Sequence, residues 1–162
     1  MEDFGSRALQ RLIEAHGAAL QSTHANLGDA TALVDPARLV DVMRFLRDDA
    51  ECQFDMLTDV TAVDYLGEEP RFEMVYHLYS LAKNKRLRVK ARVGERAPEI
   101  ATLCELWPSA NWMEREVWDL YGIRFLGHPD LRRILLYEEF QGHPLRKDYP
   151  KERRQPLVGP RN

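Results

Sequence analysis

Between Arg86 and Val93 the chain reads RLRVKARV, and its apolar and basic residues alternate without a break: Leu87, Val89, Ala91 and Val93 against Arg86, Arg88, Lys90 and Arg92. A two-residue period belongs to a β-strand, whose side chains point to opposite faces in turn. The segment therefore has one face for a core and one for water. The preceding RFEMVYHLYS sets Phe72, Met74, Tyr76 and Leu78 against Glu73, Val75, His77 and Tyr79, and QFDMLTDVTAVDYL from Gln53 is rich in β-branched and aromatic residues. Turn residues at Gly67 to Pro70 and at Lys83-Asn84-Lys85 separate the three runs, which predicts an antiparallel meander. The basic face of its last strand reads as a solvated outer face that discourages edge pairing. An acidic ligand is the alternative.

A sheet with one apolar face needs cover, and the flanking sequence offers helices. Leu9, Leu12, Ile13, His16 and Leu20 recur at three- and four-residue spacing over about Ser6 to Leu20, with His16 at the margin of the apolar face. After a polar stretch and the short strand candidate TALVD, Asp35-Pro36 supplies an N-cap and a first-turn proline. A second helix then presents Leu39, Val40, Met43 and Leu46 and ends near Asp48. APEIATLCELW is a third helix candidate closed by Pro108, and NWMEREVWDLYG a fourth, capped by Asn111 and stopped by Gly122. The fold class is α+β: a two-layer domain over residues 1–110, with a mixed or antiparallel sheet covered by helices, followed by a helix and an extended C-terminal arm over 111–162.

With 162 residues, 44% hydrophobic and 30% charged, the chain has the composition of one globular domain. No apolar run reaches the roughly 20 residues of a membrane-spanning helix, and the acidic start MEDFGSRALQ shows no secretory signal, which predicts a cytoplasmic protein. Cys52 and Cys104 have no C-x-x-C partner, so no zinc ribbon or cysteine-ligated iron–sulfur cluster is expected from this chain alone. Residues 1–110 hold 13 Lys+Arg against 18 Asp+Glu, and residues 111–162 hold 10 against 8. The acidic body argues against a nucleic-acid footprint, which needs a basic face on the domain itself.

Beyond Gly122 the periodicity fades. Residues 122–162 are rich in proline and glycine, yet Ile123, Phe125, Leu126, Leu131, Ile134, Leu135, Leu136, Tyr137, Phe140 and Tyr149 punctuate them with apolar anchors. Each ordered residue costs roughly 1–2 kcal/mol of backbone freedom, so such a segment needs a surface to lie on. An arm docked on a partner is the expectation, one that supplies few core contacts to its own domain. Two Gly-His-Pro turns mark it, Gly127-His128-Pro129 before Arg132-Arg133 and Gly142-His143-Pro144 before Arg146-Lys147-Asp148. The chemical reading makes His128 and His143, with Asp130, Asp148 and the arginines, a metal or phosphate site, and a free-standing hydrolase would use His128, His143 and Asp148. Zinc sites need three or four ligands, and the local sequence offers no H-x-x-x-H or cysteine partner. The architectural reading has glycine supplying an unusual backbone angle, proline fixing the exit and histidine holding the turn. Within Glu114-Arg115-Glu116 the two carboxylates point to different sides of a helix and read as separate ion-pair formers, while Arg115 and Asp119, four apart, are expected to pair.

The stretch EREVWDLYGIRFLGHPDLRRILLYEEFQGHPLRKDYP resembles the signature segment of the 30-kDa-type, or C-type, subunit family of NADH-quinone oxidoreductase, respiratory complex I. The residues that carry the resemblance are Glu114-Arg115-Glu116, Asp119, Gly122, Phe125, the first Gly-His-Pro turn, Arg132-Arg133 and the run from Gly142 to Asp148. Tyr137-Glu138-Glu139-Phe140 departs from the family's usual pattern. The resemblance implies a polypeptide without cofactor or catalytic residues of its own, FMN and iron–sulfur clusters residing in partner subunits. It implies packing against the 49-kDa-type (D-type) subunit near the quinone site, and peripheral attachment to the cytoplasmic face of the inner membrane through the complex. Glu114, Arg115, Glu116, Asp119, His128, Arg132, Arg133, His143, Arg146, Lys147 and Asp148 become the candidate partner interface. An equivalent component of a related membrane-bound hydrogenase or other quinone-reducing dehydrogenase is the alternative.

Overall fold

The computed structural model describes residues 4–156, with side chains from Arg7 onward; residues 1–3 and 157–162, the ends of the two segments expected from the sequence, lie outside the described residues. The meander forms as the alternation requires. Strands β3 (Met56–Asp64), β4 (Phe72–Ser80) and β5 (Lys85–Val93) pair antiparallel, with Met74 opposite Ala91 and Tyr76 opposite Val89. Two shorter strands, β1 (Leu20–His24) and β2 (Thr31–Val34), complete the sheet in the order β1-β2-β5-β4-β3. Because β2 runs parallel to β5, the sheet is mixed. It is open and five-stranded, with β1 and β3 at its edges.

The inward row of β4 and β5 is buried throughout, from Phe72 to Leu78 and from Leu87 to Val93. Helices α1 (Phe4–His16) and α2 (Leu39–Asp48) lie over it with Ala8, Leu9, Leu12, Leu39, Val42, Met43 and Leu46. Ile13 faces water, half exposed, and His16 packs edge-on to Phe45 at 5.0 Å, the marginal position its spacing suggests. Asp35 caps a short 3-10 turn, Pro36–Arg38, through the amide of Ala37, and α2 follows directly. On the outer face the basic row is partly neutralised rather than freely solvated: Lys90 and Arg92 both reach Glu73, at 2.8 and 3.4 Å, and Arg88 reaches Asp29 at 3.3 Å.

Four expectations are corrected. The first helix stops at His16, where Gly17–Ala19 turn the chain and Leu20 already begins β1. APEIATLCELW is not a helix. Its Glu99–Ala101 form strand β6, paired parallel to β7 (Arg124–Leu126), so that Ile100 and Phe125 are buried side by side. Tertiary pairing overrides a local helical preference worth only tenths of a kcal/mol per residue. Helix α3 (Ala110–Tyr121) has Ser109, not Asn111, at its N-cap, and the Ser109 hydroxyl donates to the Leu57 carbonyl instead of to its own helix. Finally, the core does not stop at residue 110, since Ala110, Val117, Ile123 and Phe125 belong to the same buried cluster as Leu12 and Val89.

Leu87→Ala, at an inward position, is expected to cost about 2–5 kcal/mol of unfolding free energy, whereas Arg86→Ala on the exposed end of the same strand should stay within about 0.5 kcal/mol. Urea unfolding of the two variants checks this.

Candidate functional site

Helix α3 ends at Gly122, whose φ of +74° suits glycine, and a Cβ there would sit 2.5 Å from the His143 ring. The arm therefore returns across the helix end in close contact. The residue that receives it is Asp119, fully buried at the last turn. One carboxylate oxygen accepts the amides of Ile134, Leu135 and Leu136 at 3.1, 2.9 and 2.9 Å, and the other accepts Arg133 Nη1 at 2.6 Å. Burial alone would raise this carboxyl's pKa, but the three amides and the guanidinium outweigh it and hold the group below its ordinary value. Arg133 also donates to the Phe140 carbonyl at 2.7 Å and lies over the Trp118 and Phe140 rings.

The expected Arg115–Asp119 pair does not form. Arg115 instead donates to the carbonyls of Arg132 and Arg133, at 3.1 and 2.9 Å, so the two residues hold successive parts of the same arm segment. Both Gly-His-Pro turns are tied to α3 by their rings. His128 Nδ1 accepts the Asp130 amide, which leaves Nε2–H to donate to the Asn111 carbonyl at 3.0 Å. His143 Nδ1–H donates to the Asp119 carbonyl at 2.9 Å, and burial pulls its pKa below the usual imidazole value. The architectural reading of the two motifs thus fits their geometry.

A second anchor holds the far end. Arg71, fully buried, donates two bonds to Asp64 at 2.8 Å each, two to Asp148 at 2.8 and 3.1 Å, and one to Glu95 at 2.6 Å. The Lys147 amide donates to Asp64 at 2.8 Å. The Arg71 hydrogen bonds hold the carboxyls of Asp64 and Asp148 below their ordinary range against the opposing effect of burial. Arg146 donates to the Tyr121 carbonyl and, 5.1 Å from its centroid, lies over the Phe72 ring that Arg71 also touches. The arm therefore packs on its own chain, which overturns the expectation that it contributes little there. In each basic pair one cation turns inward, Arg133 and Arg146. Arg132 stays out, with 68% of its side chain exposed and Asp130 as its one ion-pair partner among the described residues, and so does Lys147.

Glu114 is fully buried and forms no ion pair among the described residues. Its oxygens meet the Thr102 hydroxyl and, at 2.7 Å, the Leu103 amide, and burial raises its pKa to about 7. Glu116, two residues on, is exposed. Cys104, Glu114 and His128 place donor atoms within 4.8 Å of one another. Each is already occupied: both His128 nitrogens are hydrogen-bonded, both Glu114 oxygens accept bonds, and burial holds the Cys104 thiol protonated with a pKa of about 11. Through these bonds the cluster ties the segment after β6 and the first Gly-His-Pro turn to α3. Sequence reasoning missed Asp64, Arg71 and Glu95. The available signal was Asp64, an acid on the inward row of β3 in step with Val60 and Ala62.

The structure defines an open-sheet α+β module whose last helix is strapped by an irregular arm. The family described as respiratory-chain NADH dehydrogenase, 30 Kd subunit, matches residues 32–155, and the chain belongs to that family. The corresponding C-type subunit of the NADH-quinone oxidoreductase of Roseiflexus castenholzii is 52% identical over 142 residues, covering 88% of this chain and 82% of that protein. Its counterpart in Geobacter sulfurreducens is 49% identical over 146 residues, covering 90% and 89%. A solved structure described as the trypsin-resistant fragment (1-134) of Nqo5 superposes with a TM-score of 0.67 at 35% identity, over 76% of this chain and 99% of that one.

Glu114 and the three aspartates act in opposite pH windows. A carboxyl raised to about 7 keeps a proton that the unfolded chain releases above its ordinary 4.5, so native stability falls as pH rises between those values. The carboxyls of Asp64, Asp119 and Asp148, held below 3.8, contribute stability that is present above 3.8 and lost as pH falls through their native values. Glu114→Gln mimics the protonated acid. Relative to the wild type it should gain about 2 kcal/mol between pH 5 and 7.5, measured by urea unfolding at each pH. A pH-independent difference would contradict the assignment.

Proposed function

We propose that this chain serves as the 30-kDa-type subunit of a proton-translocating NADH-quinone oxidoreductase, in the peripheral arm, where its C-terminal segment docks on the 49-kDa-type subunit beside the quinone site. In this reading it carries no cofactor. FMN and iron–sulfur clusters in partner subunits move electrons from NADH to quinone, and this chain supports the assembly that couples the transfer to ion translocation. Attachment to the cytoplasmic face of the inner membrane follows through the complex. No helix among the described residues is long and apolar enough to cross a membrane.

One observation carries the docking proposal: the arm is anchored by its backbone and its inward cations, and it turns a mixed basic and apolar side outward. Arg132 is exposed, as is Leu135 at 62%, with Leu126 and Leu145 close to half exposed. Apolar groups rimmed by charge are the composition of a protein interface. The names of the curated relatives favour the NADH-linked complex over the hydrogenase alternative. A relative isolated as a trypsin-resistant fragment agrees with a body that holds together by itself.

The combined variant Arg132→Glu with Leu135→Ser tests this. Both side chains are exposed, and the Arg132–Asp130 surface pair is worth under about 1 kcal/mol, so the isolated protein should melt within a few degrees of the wild type. Its recovery in the complex purified from membranes should fall several-fold. Wild-type recovery would overturn the docking surface, and an equal loss of thermal stability would assign that face to the chain's own core.

A further inference from the structure

The two inward cations of the arm differ in how completely they are used. Arg133 is saturated: Nη1 donates to an Asp119 oxygen at 2.6 Å, and Nη2 to the carbonyls of Phe140 and Gly142 at 2.7 and 3.3 Å. Arg146 is not. It donates through Nε to the Tyr121 carbonyl and lies over the Phe72 ring, 5.1 Å from its centroid. Its two Nη atoms have no hydrogen-bond acceptor among the described residues, and neither is one of the fully buried polar atoms left unpartnered, so both reach the surface. The Nε bond and the ring contact hold the guanidinium in place, and Gly122 makes room for it: a Cβ on that residue would lie 2.8 Å from Nη2.

Three carboxylates act on Arg146 from nearby, and Arg71 takes all of them. Asp64, Asp148 and Glu95 bond to the Arg71 guanidinium, and among the described residues none pairs with Arg146. Burial and the like charge of Arg71 pull the Arg146 pKa below the ordinary arginine value, against the attraction of the three acids. A positioned, partly buried cation with two open donor groups is therefore short of a counter-charge. Taking a guanidinium out of water is costly unless an anion completes its hydrogen bonds, and its planar fork fits the two oxygens of a carboxylate. A surface of anionic lipid would bring many negative charges against the half-exposed Asp148 and Glu95, whereas one acidic side chain brings a single charge to the open fork. Leu145, the preceding residue, is about half exposed and belongs to the outward side proposed to dock.

We infer that Arg146 receives an aspartate or glutamate side chain of a neighbouring polypeptide of the complex, whose two carboxylate oxygens take the Nη donors. The inference rests on the proposed docking of the arm and deepens it by naming an ionic contact next to Leu145.

Phenylglyoxal, which condenses with the Nη nitrogens of a free guanidinium, tests this on the wild-type protein. In the isolated protein Arg146 should react while Arg133, with both Nη atoms bonded, stays slow; equal rates would show that the Arg146 fork is already filled and overturn the inference. In the complex purified from membranes the rate at Arg146 should fall about tenfold or more, the factor that about 1.4 kcal/mol of interaction gives. An unchanged rate at Arg146 with protection at Arg132 overturns the inference and leaves the docking surface standing, whereas unchanged rates at both overturn the two together. The chemistry of the partner is read in an assembled complex carrying Arg146→Lys. A water-soluble carbodiimide, which joins an amine only to a carboxylate in contact with it, should link that position to an Asp or Glu of a neighbouring polypeptide. Linkage to Asp64, Asp148 or Glu95 of the same chain, or no linkage, overturns the acidic partner. The wild-type modification keeps the test decisive if Arg146→Lys does not assemble.

Discussion

The carboxylate of Asp119 is the point on which the C-terminal third of the molecule turns. A chain segment without helix or strand still carries one donor and one acceptor per residue, and these need partners when packed. Asp119 meets three consecutive amides and a guanidinium at once, and its own backbone carbonyl takes the His143 ring. One side chain at the end of a helix thereby gives a stretch of irregular backbone a fixed conformation. The loss of backbone freedom on ordering, roughly 1–2 kcal/mol per residue, is offset by charge-assisted bonds in a protected setting.

Arg71 plays the corresponding part between the sheet and the far end of the arm. Its guanidinium joins Asp64 on β3 to Asp148, which lies 77 residues beyond Arg71 in sequence, with Glu95 completing the set. Such a buried arrangement adds little net stability over an apolar one, but loss of one member strands a charge at a cost of about 3–5 kcal/mol. Its consequence is specificity of placement. The arm's inward face is committed to the chain's own body, and what remains outward, Arg132 and Leu135 together with Leu126 and Leu145, is available to another protein.

The elements legible in the sequence were those whose pattern is local. The alternation from Phe72 to Val93 specifies the meander and its inward row, Gly122 marks the end of α3, and the two Gly-His-Pro turns act as architecture. What escaped was set by distance. Residues 99–101 look helical until Arg124–Leu126 comes beside them, and β1, a short and half-exposed edge strand, has almost no apolar period to read. Arg115 and Asp119 stand at the spacing of a helical ion pair, but stronger partners on the arm claim both. The candidate interface residues were found through family resemblance, whereas their division into inward anchors and outward-facing side chains required the fold.

Native-state hydrogen exchange in the isolated protein addresses the central claim most directly, because among the described residues the amides of Ile134, Leu135 and Leu136 donate to the Asp119 carboxylate and that of Lys147 to Asp64. With those anchors holding the arm, these four amides should exchange at least about a hundredfold more slowly than in an unstructured peptide, with no partner protein present. Asp119→Ala should release Ile134, Leu135 and Leu136 while the amides of the β4–β5 ladder stay protected. Exchange of these amides at the peptide rate in the isolated wild-type protein would show that the arm is held by its partner and not by its own chain.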